Sequence, residues 1–81
     1  MVEVRCEMVA NVAAISVVVG DAVAPGDMVV LLESMKMEIP VLVESPGSVL
    51  EIKVAVGDVV QEGDVLVVIG DEARSVRQPL K

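Results

Sequence analysis

The chain has no histidine, no phenylalanine, no tyrosine, no tryptophan and a single cysteine, Cys6. Without histidine it cannot assemble a Ser/His/Asp or Cys/His catalytic group, and most zinc sites are closed to it. Without aromatic rings it lacks the stacking platforms that single-stranded nucleic acids use. Positive charge is also scarce: six Lys and Arg stand against thirteen Asp and Glu, a formal charge of −7. That balance excludes a general phosphate-binding surface. One cysteine cannot form a disulfide framework within the chain. No apolar run is long enough to span a bilayer. The longest apolar-rich stretch, Met8 to Val19, is interrupted by Asn11 and Ser16. Its length and the small residues Ala22-Val23-Ala24 resemble a secretory signal, but Glu3 and Glu7 beside Arg5 give no basic leader. The expectation is an acidic cytoplasmic domain with no active site of its own.

What is present is aliphatic. Hydrophobic residues make up 54% of the 81 positions, and mean hydropathy is +0.74. A chain this short buries only about 60–65% of its unfolded surface, so one dense core is all it can support. Residues 71–81 break the pattern: they are mostly polar and hold three of the six basic side chains. We expect a domain over residues 1–70 and a disordered tail over 71–81.

Displaced by 37 positions, the sequence overlays itself. Residues 17–32 read VVVGDAVAPGDMVVLL and residues 54–69 read VAVGDVVQEGDVLVVI, with eight of sixteen positions identical. This repetition also argues against a removable signal at Met8 to Val19. Two copies are too few for a solenoid and suit a closed structure with internal two-fold symmetry. Each copy opens with an alternating stretch read as a strand, Ala13, Ile15, Val17, Val19 and then Leu50, Ile52, Val54, Val56; in the second the intervening Glu51, Lys53 and Ala55 give it one wet face. A G-D-x-V-x-x-G-D segment follows. Its glycines permit positive φ at tight bends, and its aspartates can accept hydrogen bonds from nearby backbone amides. Short β-branched runs, Met28–Leu32 and Val65–Ile69, read as buried strands. Glu3 to Val9 reads as a first strand. Glu38 to Val43 should pair after a central turn, with Pro40 marking an edge or a bulge. With no sustained 3.6-residue period, the fold is predicted all-β, a small flattened barrel or sandwich.

The chemistry lies between the copies, in Glu33-Ser34-Met35-Lys36-Met37-Glu38. Two apolar strands flank Ser-Met-Lys-Met, so a hairpin is predicted there although neither Gly nor Asn is present. Lys36 is one of two lysines in residues 1–70. At a turn tip its amine is a usable nucleophile once deprotonated. Two methionines are unusual company at a hairpin tip, which normally holds polar residues. Read alone, the triplet fits equally a solubilising lysine between two core methionines; its place at the centre of an internal repeat makes it specific. Cys6 reads as a small apolar residue, since no base accompanies it. The pairs Asp21 with Asp27 and Asp58 with Asp64 recur at matching turns, which favours backbone capping over metal binding.

On these residues the chain resembles the biotinyl domains of the biotinyl/lipoyl attachment family. Residues 33–38 match the family's E-A/S-M-K-M-E attachment motif, and V-x-V-G-D-x-V-x-x-G-D occurs twice. The match covers roughly residues 4–70 and is most like free-standing single-domain biotin carboxyl carrier-like proteins. The resemblance implies a flattened antiparallel β-barrel (a barrel-sandwich hybrid) of two four-stranded sheets related by a pseudo-two-fold axis. It implies covalent biotin on Lys36, with Met35 and Met37 as flanking recognition residues and Glu33, Ser34 and Glu38 in the attachment hairpin. It implies a biotin protein ligase, a biotin carboxylase and a carboxyltransferase as partners, to a chain that is itself a non-catalytic carrier and a monomer alone. Lipoyl domains usually have Asp before the lysine and Ala after it, where this chain has Met35 and Met37. A lipoyl carrier and an unmodified interaction module are the alternatives. One departure stands out: where many biotinyl domains have P-M-P-G-T, this chain has Glu7-Met8-Val9-Ala10-Asn11, so a turn that usually employs Pro and Gly must be made by Ala10.

Overall fold

A computed structural model describes residues 1–70. The tail expected over 71–81 lies outside the described residues. Eight strands follow in order: β1 (Val2–Arg5), β2 (Ala10–Ile15), β3 (Ala22–Val23), β4 (Met28–Ser34), β5 (Met37–Leu42), β6 (Gly47–Ile52), β7 (Val59–Val60) and β8 (Val65–Gly70). Among the described residues there is no helix. The strands form two four-stranded sheets, ordered β1-β8-β6-β3 and β5-β4-β2-β7, and every pairing is antiparallel.

The 37-residue repeat is the symmetry of the fold. It carries β2 onto β6, β3 onto β7 and β4 onto β8, and so one sheet onto the other. The core obeys the same rule. Cys6 and Val43, Val12 and Val49, Val23 and Val60, Val29 and Leu66, Val30 and Val67, and Leu32 and Ile69 are all buried in one cluster. Cys6 thus occupies the position that a valine fills in the other copy, as a small apolar residue would, although it lies just beyond β1 rather than in a strand.

The G-D segments bind each half to the other. Gly20, Gly26, Gly57 and Gly63 have φ of 100, 94, 98 and 93°, values that cost a residue with a Cβ far more than glycine. At each bend the aspartate carboxylate accepts from the amide three residues earlier: Asp21 from Val18, Asp27 from Ala24, Asp58 from Ala55 and Asp64 from Gln61, all at 2.9 Å. The glycine amides donate across the repeat, Gly20 to the Val49 carbonyl at 2.8 Å and Gly57 to the Val12 carbonyl at 2.9 Å.

Four sequence expectations need correction. The first strand ends at Arg5, not Val9, because the Cys6 amide and carbonyl leave the sheet ladder and bond to Asp64 and Gly63. Ala13 and Leu50 do not face inward: each is the extra residue of a β-bulge, between Val12 and Ala14 and between Val49 and Glu51. One inserted residue reverses the facing of those after it, so Val12 and Val49 enter the core while Leu50 is 50% exposed. Val19 and Val56 are exposed bend residues beyond the strand ends. Ala10 needs no special conformation; it is the buried first residue of β2, and among the described residues the only non-glycine residues with positive φ are Met35 and Lys36. Its repeat mate Gly47 is the position without room, where a Cβ would sit 2.1 Å from the Gly70 carbonyl oxygen. Pro40 lies in β5, an edge strand, as expected.

Candidate functional site

β4 and β5 form a hairpin in the register Leu32↔Ile39, Glu33↔Glu38 and Ser34↔Met37, which leaves Met35 and Lys36 as a two-residue tip. Their φ angles are 53 and 67°. Positive φ at both central residues is the signature of a type I′ turn, whose twist matches that of paired strands. Such turns favour Asn-Gly, because a bulky side chain in the left-handed region costs on the order of 1 kcal/mol or more. Here both bulky residues adopt it, and no burial of their side chains offsets the cost: Met35 is 91% exposed and Lys36 is exposed.

Apolar and charged side chains alternate around the tip. Met37 is 61% exposed. Among the described residues Lys36 has no ion pair; the two pairs present are Arg5–Glu3 and Lys53–Glu51. Glu33 and Glu38 lie directly opposite one another, both exposed. The Ser34 hydroxyl donates to the Val9 carbonyl at 3.3 Å, tying the base of the hairpin to the segment that enters β2.

All six motif residues therefore lie on one hairpin, as the sequence predicted. No sequence signal marked Val9, 63% exposed, whose carbonyl meets Ser34 of the hairpin, or Met8, 37% exposed, which lines a cavity with Leu32, Ile39 and Pro40. The approach of Val9 follows from the β2–β4 register, Asn11↔Glu33, which no local pattern encodes.

Lys36 thus stands exposed at the tip of a hairpin on a duplicated all-β barrel. A family model described as "Biotin-requiring enzyme", of the biotin/lipoyl attachment family, matches residues 2–69. The chain belongs to that family. It is 56% identical over 45 residues to a protein described as a homolog of biotinylated protein TB7.3 in Mycobacterium leprae, a match covering 56% of this chain and 63% of that relative. It is 62% identical over 40 residues to biotinylated protein TB7.3 of Mycobacterium tuberculosis, covering 49% of this chain and 56% of that one. The matched stretch thus spans less than two thirds of either relative. Its fold is similar to part of the Kluyveromyces lactis urea carboxylase, with a TM-score of 0.79 and 34% identity over 84% of this chain and 6% of that one. It is also similar to part of a single-chain, multi-domain long-chain acyl-CoA carboxylase, with a TM-score of 0.80 and 26% identity over 85% of this chain and 7% of that one.

Proposed function

We propose that the chain is a biotin carrier, acting in the cytoplasm as a monomeric partner of a biotin-dependent carboxylase. The observation that carries this reading is Lys36 at the exposed left-handed tip, between two exposed methionines. A biotin protein ligase is the modifying partner. The Lys36 amine, once deprotonated, attacks the carbonyl of a biotinyl adenylate; the new bond is an amide, and AMP leaves with the oxygen. Attachment removes the lysine charge and takes the formal charge from −7 to −8. The attached biotin supplies a ring nitrogen that accepts a carboxyl group at a biotin carboxylase and yields it at a carboxyltransferase.

The rest of the chain positions that tether. Paired strands on both sides of the tip fix the direction in which Lys36 leaves the body. A tethered group reaches two active sites at a raised local concentration. The acidic surface suits partners with basic rims. Met35 and Met37 stand where lipoyl domains usually carry Asp and Ala, which favours biotin over lipoate.

The test is transfer of biotin by a purified biotin protein ligase, followed by peptide mapping. Label confined to Lys36 and absent from Lys36→Arg is the expected result. Label on Lys53 or Lys81 would contradict it. Changing Met35 to Asp and Met37 to Ala should reduce transfer; unchanged transfer would show that the methionines are not what the ligase reads.

A further inference from the structure

Met8 and Val9 are large apolar side chains that the core does not use. Their backbone is nevertheless held on both sides. Cys6 is buried, its amide and carbonyl bonded to Asp64 and Gly63 at 2.8 Å each. The Cys6 thiol donates to the Met8 carbonyl, and the Val9 carbonyl accepts from Ser34. Ala10 then enters the ladder opposite Val60. Continuing the Asn11↔Glu33 register two places toward the tip brings Val9 level with Met35. Val9 thus adjoins the methionine-lined tip on its β2 side, and Met8 lines the neighbouring cavity with Leu32, Ile39 and Pro40, both on backbone that is fixed rather than loose.

We propose that Met8 and Val9, with Met35, form an apolar platform for the chain's own biotinyl arm, a deepening of the carrier reading on which it rests. The charge of Lys36 sets when the platform is used. As an ammonium the side-chain end is strongly hydrated, which holds it in water. Acylation makes it a neutral amide and extends it by the methylenes of the valeryl chain. A long apolar arm tethered beside exposed apolar side chains removes area from water by lying on them. Its effective concentration there far exceeds that of any free ligand. The platform therefore stores the group against the body between visits to partners.

Methyl-labelled NMR of the unmodified and biotinylated full chain tests this. On biotinylation, the Met8 ε-methyl and Val9 γ-methyl resonances should shift and show nuclear Overhauser contacts to the valeryl protons. The Val18 and Val56 methyls serve as a control and should not move. The double variant Met8→Gln with Val9→Thr, at exposed positions, should accept biotin at the same rate but lose those contacts. Biotin on Lys36 with no shift at Met8 or Val9 overturns the platform and leaves the carrier reading standing. Slower ligation of the variant, without contacts in the wild type, would assign the surface to the ligase instead. Failure of Lys36 to accept biotin overturns both.

Discussion

At the scale of single residues, the tip is set by two bulky side chains held in the left-handed region. Met35 and Lys36 have φ of 53 and 67°, and neither is buried. Strain without compensating packing points to a demand other than stability. Asn tolerates this conformation better, so Met35→Asn should raise stability by up to about 1 kcal/mol, read as a higher urea midpoint, while biotin transfer falls. Lys36→Arg keeps a long cation at the same exposed position. It should change stability by less than about 0.5 kcal/mol and leave the circular dichroism spectrum intact; an unfolded variant would show that Lys36 supports the hairpin. The six motif residues were legible because they are contiguous and their types are unusual at a turn. The place of Met8 and Val9 was not, because what lies beside them depends on which strands pair.

At the scale of elements, the duplicated G-D segments were legible as bends because glycine and aspartate act locally. Positive φ and a carboxylate three residues from its amide need no knowledge of the rest of the chain. Bulges left no such mark. The extra residues Ala13 and Leu50 are ordinary strand formers, and only the register with β4 and β8 shows that the facing reverses there. The duplication could have exposed them, since both bulges recur 37 residues apart. Gly47 illustrates a close approach between strands: a Cβ would meet the Gly70 carbonyl oxygen at 2.1 Å and Ile69 Cγ2 at 2.6 Å. Gly47→Ala should therefore cost about 3 kcal/mol, measured by thermal or urea unfolding. Glu33 opposite Glu38 is a like-charge cross-strand pair. Glu33→Gln should stabilise the hairpin by a few tenths of a kcal/mol, an effect that high salt diminishes.

At the scale of the whole molecule, the two halves are locked together. Gly20 and Gly26 of the first donate to Val49 and Val43 of the second, and Gly57 and Gly63 of the second donate to Val12 and Cys6 of the first. Each four-stranded sheet also draws strands from both copies. A peptide of residues 1–36 or 37–70 alone should show no dispersed amide spectrum, because each lacks the acceptors its own bends require and half of the shared core. In the proposed carrier reading the intact barrel presents Lys36, and partners supply the chemistry. The most direct test is the intact mass of the full chain after co-expression with a biotin protein ligase and supply of biotin, followed by peptide mapping. One added biotin, on Lys36, is the expected result. An unchanged mass on folded protein, or a lipoyl increment when a lipoate ligase is supplied in its place, would contradict it.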